Sequence, residues 1–146
     1  MADTIIDRVS MTLASELASV ERVEETAEQF AQRAGFDEDT TSHIAMVCRE
    51  AAVNAVIHGN KYDKEKHVTA SFQLTDVALT VEIADEGAGL DPDTCPDPLA
   101  PENLMRTSGR GIFLMRALMD EVHFRQLTPG TKITMVKRRV QKETEA

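Results

Sequence analysis

The order of elements written into the chain predicts an α+β domain, a two-layer sandwich with helices on one face of a mixed, mostly antiparallel sheet. Three observations carry this. The last four strand-like segments come as two pairs joined by short turns. Two long helical segments, each with an apolar stripe, stand between an opening strand and the first of those pairs. The 146 residues, 42% of them hydrophobic, are enough for one ordinary domain that buries about two-thirds of its unfolded surface. Residues 1–146 are therefore expected to form a single domain.

The opening segment "IIDRVSMTL" alternates loosely and sets Val9, Met11 and Leu13 on one side, as a half-buried strand does. Ser15 stands where it can cap a helix running to about Ala34. That helix has a stripe of Leu17, Val20, Val23, Ala27, Phe30, Ala31 and Ala34, and Gly35 stops it. A second helix starts near Asp37 to Asp39 and closes at Gly59-Asn60. "HVTASFQL" aligns Val68, Ala70, Phe72 and Leu74, and "VALTVEIA" aligns Val77, Leu79, Val81 and Ile83. Only Thr75-Asp76 lies between them, which predicts a hairpin. The segment from Asp85 to Gly111 holds four of the five prolines and four of the seven glycines, a composition of functional or mobile loops. A short helix, "IFLMRALMD", follows, and then two strands, "EVHFRQL" and "TKITMVK", joined by Thr128-Pro129-Gly130.

Bulk composition excludes several function classes. No apolar run approaches the ~18 residues that cross a bilayer. The opening "MADTIIDRVS" carries acids where a secretory leader carries bases, so a cytoplasmic protein without membrane contact is expected. Cys48 and Cys95 are too few for a disulfide framework and lack metal-ligand spacing, so both are read as reduced, structural thiols. A net charge of -9, from 25 acids against 16 bases, opposes direct nucleic-acid binding. The basic "VKRRVQK" reads as a solvated strand end and tail.

The second helix raises the functional question. At 100° per residue, Glu50 and Asn54 share one face about 40° apart. Ile44, Cys48, Ala51, Ala52 and Ala55 fill the opposite half and face the sheet, while Met46, Val47, Val53 and Ile57 flank the pair. A carboxylate and an amide in such apolar surroundings cost free energy unless paired or functional. Two readings stand: a satisfied structural pair on a half-exposed face, or the floor of a site with Glu50 as a base or orienting acid and Asn54 as a cation ligand.

The long loop favours the site. "DEGAG" puts Asp85 at a strand tip, with Gly87 and Gly89 allowing close backbone approach. "SGRG", Ser108 to Gly111, opens the third helix, where free N–H groups and the positive dipole end suit phosphate. Each piece alone is weak, but the three in this order are specific.

On these motifs the chain resembles the GHKL (Bergerat-fold) ATPases, in the branch of anti-sigma-factor serine kinases. "REAAVNAVIHGN" is similar to the family's N box, "DEGAGLDP" to its first glycine box and "SGRGIFLMRALMDEV" to its second. The resemblance implies the Bergerat fold, ATP and Mg²⁺ as cofactors, and a role for each matching residue. Asn54 coordinates Mg²⁺, and Glu50 takes the proton from an attacking hydroxyl. Asp85 accepts from the adenine amino group, Gly87 and Gly89 turn beneath the base, and Thr131 helps hold it. Residues 90–108 form a lid that ends at Ser108, and Gly109 to Gly111 wrap the phosphates. Arg110 either touches a phosphate or faces solvent, and His58 is expected to pack or cap. The implied function is a protein serine kinase that sequesters a sigma factor and phosphorylates a STAS-domain anti-anti-sigma protein, in a homodimer. The rival is an ATP-binding interaction module without catalysis; Glu50 favours the kinase, since a pure binder needs no base.

Overall fold

The computed structural model describes residues 4–87 and 109–139, with Gly109 and Arg110 described by their backbone alone. Its elements are β1 (Ile5–Ala14), α1 (Leu17–Ala34), α2 (Glu38–Val53), a π-helical turn (Asn54–Gly59), β2 (His67–Thr75), β3 (Ala78–Ala84), α3 (Gly109–Leu118), β4 (Glu121–Gln126) and β5 (Thr131–Arg138). The sheet runs β1-β2-β3-β5-β4. The expected α+β sandwich is present, and all four described strand pairings are antiparallel.

Alternation builds the sheet's two faces. Val68, Ala70, Phe72 and Leu74 of β2 and Leu79, Val81 and Ile83 of β3 are buried together. The register pairs Phe72 with Val81 and Leu74 with Leu79, so one face is apolar throughout. The hairpin turn is held by Thr75, whose Oγ1 accepts from the backbone N–H groups of Val77 and Ala78 at 3.2 and 3.1 Å. Helix α1 lays Val20, Val23, Ala27, Phe30 and Ala31 on that face, and Phe30 stacks on Phe72 with ring centroids 5.6 Å apart. Burying one such ring contributes on the order of 1.5–3 kcal/mol.

The helix ends follow local chemistry, with one correction. Gly35 stops α1 in the left-handed conformation at φ 85°, as its sequence position foretold. Asp37 caps α2 through its side chain and the Thr40 N–H at 2.7 Å. That bond, made to the ionised carboxylate, holds the Asp37 carboxyl below its ordinary range. Ser15 is not the cap of α1. Glu16 occupies that position without a side-chain cap bond, and the Ser15 hydroxyl instead donates to the Lys66 carbonyl at 2.7 Å. Ser15 is buried at the corner between β1 and α1, so its hydroxyl is committed to the neighbouring strand entry. Leu17, read as part of the α1 stripe, is 55% exposed at the helix's first turn.

The C-terminal half of the fold locks onto the first. α3 packs against α2, and Met115 at its centre is fully buried. Arg139, just beyond β5, donates to the Ala34 and Thr75 carbonyls at 3.0 and 3.1 Å, joining the end of α1 to the β2–β3 turn.

Candidate functional site

Helix α2 carries the polar pair, and its surroundings separate the two members. Ile44, Cys48, Ala51, Ala52 and Ala55 are all buried in the core, the side of the helix that the wheel made apolar. Cys48 is a free thiol whose pKa burial pushes up to about 12, so it is inert. Cys95 lies outside the described residues. Glu50 is half-buried. Asn54 is only 6% exposed. Its Nδ2 donates to the Glu50 carbonyl oxygen at 2.9 Å, which fixes the amide's orientation. Its Oδ1 has no hydrogen-bond partner, alone among the buried side-chain polar atoms of the described residues. A buried amide oxygen left unpaired costs about 1–3 kcal/mol. The amide thus reaches Glu50 through that residue's main-chain carbonyl, and its own oxygen is left without a hydrogen-bond partner.

Past Asn54 the helix widens. Asn54–Gly59 forms a π turn, closed by Asn60 N–H to Ala55 O at 2.8 Å. Such turns are rare and concentrate at functional sites. This one brings Gly59 against Asp85. A Cβ added at Gly59 would stand 2.4 Å from the Asp85 carboxyl carbon. Two further glycines close on the same residue. A Cβ at Gly130, where φ is 109°, would meet the Asp85 carbonyl oxygen at 1.9 Å, and one at Gly87 would meet the Gly59 carbonyl oxygen at 2.1 Å. Asp85 thus sits in a cage that only hydrogen side chains leave room for.

Asp85 is itself 9% exposed. Desolvation raises its carboxyl above the ordinary carboxylate range. Backbone N–H groups of Gly87 and Thr131 and the charge of Lys66 pull partly the other way. The Gly87 N–H donates to Asp85 Oδ1 at 2.9 Å, and the Asp85 N–H donates to the Thr131 carbonyl at 3.0 Å. A carboxylate so placed is an oriented acceptor with spare lone pairs.

The structure therefore brings Asp85, Gly87 and Thr131 together, and sets Glu50 one helical turn from Asn54. Gly111 is buried in the first turn of α3, which begins at Gly109, so the glycines read as preceding that helix lie inside it. Gly89, Ser108 and the segment 90–108, expected to be a lid, lie outside the described residues. His58, expected to pack or cap, has an exposed side chain. Sequence reasoning gave no role in the site to three residues: Gly59 and Asn60, read as a helix stop at the end of the N box, and Gly130, read as a turn. The signal available was a glycine next to each motif end, but what each touches is tertiary information.

The chain matches the model of the histidine kinase-like ATPase domain over residues 13–137. It is 26% identical to the serine-protein kinase RsbW of Listeria innocua serovar 6a, over 97% of this chain and 94% of that one. It is 31% identical to the serine-protein kinase RsbW of Bacillus subtilis, over 90% of this chain and 85% of that one. Among solved structures it resembles one containing the RsbU and RsbW domains of a Mycobacterium tuberculosis protein, with a TM-score of 0.66 and 19% identity. That match covers 90% of this chain and 32% of the solved chain, about a third of its length.

Proposed function

The chain belongs to the histidine kinase-like ATPase domain family, in the branch of the RsbW serine kinases, and from that premise we propose that it is an ATP-dependent protein serine kinase and anti-sigma factor. Residues 1–146 act as one ATPase domain whose lid is the segment 90–108. No helix among the described residues is long and apolar enough to cross a membrane. The single observation that carries the catalytic reading is the orphaned Asn54 Oδ1, buried and oriented one turn from a carboxylate.

An amide oxygen fits Mg²⁺, which prefers hard oxygen ligands and keeps several waters. Asn54 holds the metal through Oδ1. When bound, the metal neutralises charge on the phosphate oxygens. Asp85 accepts from the adenine amino group, with Gly87, Gly89 and Thr131 beneath and beside the base. Ser108, Gly109, Arg110 and Gly111 lie along the phosphates, where the N-terminus of α3 supplies N–H donors. Glu50 orients the attacking serine hydroxyl and takes its proton as the serine oxygen bonds to the γ-phosphorus and the bond to the β–γ bridging oxygen breaks. Positioning and charge neutralisation carry most of such a transfer, so these few groups suffice.

The protein substrate in this reading is a STAS-type anti-anti-sigma protein, and the sequestered partner is a sigma factor bound by a homodimer. Similarity to kinases named RsbW supports this assignment. The test is transfer of labelled phosphate from ATP to a STAS-domain protein from the same genome. Glu50→Ala is expected to cut transfer by about 10²–10⁴-fold while leaving ATP affinity nearly unchanged, since a general base contributes to rate and little to ground-state binding. Near-wild-type transfer by Glu50→Ala would overturn the role of Glu50. Absence of transfer by the wild type, with intact ATP binding, would favour a regulatory module without catalysis.

A further inference from the structure

We infer that Asn60 is a positioning residue for adenine recognition, tying the metal-binding helix to the turn that carries Asp85. The inference rests on the reading of Asp85 as the adenine acceptor. It draws on contacts to which no motif assigned a role.

Asn60 is 1% exposed and uses both ends of its amide. Its Nδ2 donates to Ser15 Oγ at 2.8 Å and to the His67 carbonyl at 2.9 Å. Its Oδ1 accepts from the Glu86 N–H at 2.8 Å. Ser15 in turn donates to the Lys66 carbonyl. One side chain thus joins the β1–α1 corner, the entry of β2 and the Asp85–Gly87 turn at the end of β3. A buried amide with every bond made is specific about geometry, because any shift leaves a polar group unpaired.

Its place in the chain makes that specificity matter for Asp85. Asn60 directly follows Gly59, whose backbone packs on the Asp85 carboxyl. It directly follows the π turn that starts at Asn54. Its side chain fixes the N–H of Glu86, the neighbour of Asp85 on the other side. Asp85 is therefore held between the main chain before Asn60 and the side chain of Asn60. The residue sets the spacing between a metal ligand and a base acceptor, the two ends of one nucleotide. The Glu86 carboxylate adds a parallel tie by accepting from the His67 N–H. After Asn60 the backbone turns through two consecutive left-handed residues, Lys61 at φ 52° and Tyr62 at φ 59°. That costly conformation has to be held by its surroundings, and Tyr62 N–H to Val56 O at 3.0 Å is one such restraint.

The experiment compares affinity for ATP with affinity for purine riboside triphosphate, which lacks the 6-amino group, in wild type, Asp85→Ala, Asn60→Ala and Ser15→Ala. Wild type is expected to prefer ATP by about ten- to a hundredfold, the worth of a hydrogen bond to a charged acceptor. Asp85→Ala removes the acceptor and brings the ratio near one. Asn60→Ala is expected to lower the ratio most of the way to that value while leaving affinity for purine riboside triphosphate within about twofold of wild type, a separation that general loss of structure does not produce. Ser15→Ala, which removes one anchor of Asn60 and leaves its bond to Glu86, is expected to give an intermediate ratio. A folded Asn60→Ala protein with the wild-type ratio overturns the inference. If Asn60→Ala does not fold, Ser15→Ala decides: a lowered ratio supports the inference and a wild-type ratio overturns it. If Asp85→Ala keeps the wild-type ratio, the adenine reading itself fails and the inference falls with it; that outcome differs from a failure confined to Asn60.

Discussion

Replacing Asn54 by alanine is expected to stabilise the nucleotide-free protein while destroying its metal-dependent function. The Oδ1 atom is buried with no partner, at a cost of about 1–3 kcal/mol that the substitution removes. Against this stands the loss of the Nδ2 bond to the Glu50 carbonyl, about 1 kcal/mol. That carbonyl is not orphaned, because it also accepts from the Asn54 backbone N–H. Alanine's higher helix propensity adds about half a kcal/mol in favour of the variant, roughly offset by the small cavity left behind. The net runs from neutral to about 2 kcal/mol in favour of the variant. For a domain of this size that is a rise in melting temperature of up to about 8 °C. The assay is thermal unfolding followed by circular dichroism, in chelator and without nucleotide. Calorimetric titration with ATP and Mg²⁺ on the same preparations is expected to show affinity weakened at least about tenfold, since even outer partners of a metal carry 10–100-fold. A melting temperature several degrees below wild type would mean that Oδ1 has a structural partner. The argument for a held-open metal ligand would then fail.

Two further substitutions test the cage around Asp85. Gly59→Ala places a methyl 2.4 Å from the Asp85 carboxyl and is expected to cost about 1–3 kcal/mol of stability through overpacking, seen as a lower melting temperature, and to lower preference for adenine over guanine. Gly35→Ala is its control: it meets nothing within 4 Å but has φ 85°, so it is expected to cost about 1–2 kcal/mol in strain and leave nucleotide preference unchanged. The burial of Asp85 also has a pH signature. Because its folded carboxyl sits above the ordinary 3.8, the folded state binds the extra proton, and wild-type stability falls as pH rises from about 3.8 through the raised value. The melting temperature of Asp85→Asn minus that of wild type is therefore expected to grow across that window and then level off. A difference that shrinks with pH would show a carboxylate favoured in its charged form.

The sequence by itself determined the element order, the two hairpins, the sheet-facing stripes and the axis on which Glu50 and Asn54 stand. These depend on periodicity and on turn chemistry, which are local. Phe72 and Val81 alternate into one face whatever else the chain does, and Gly35 stops a helix because only its own φ is at issue. The first glycine box likewise pointed to Asp85 and Gly87, and the family resemblance to Thr131, three residues that the fold sets side by side. The tertiary structure decided what each polar atom touches. Ser15 looked like a cap because capping is local, yet its hydroxyl is drawn to Lys66 across the β1–α1 corner, fifty-one positions away in sequence. Asn60 looked like a helix stop, yet it bridges three segments. Gly59 looked like part of that helix stop and Gly130 like a turn residue, yet each makes room for Asp85. Whether both ends of the Asn54 amide find partners was also undecidable from spacing, and only the nitrogen does. Satisfaction is a property of the neighbours that folding brings, and burial makes each unmade bond cost about as much as a mutation.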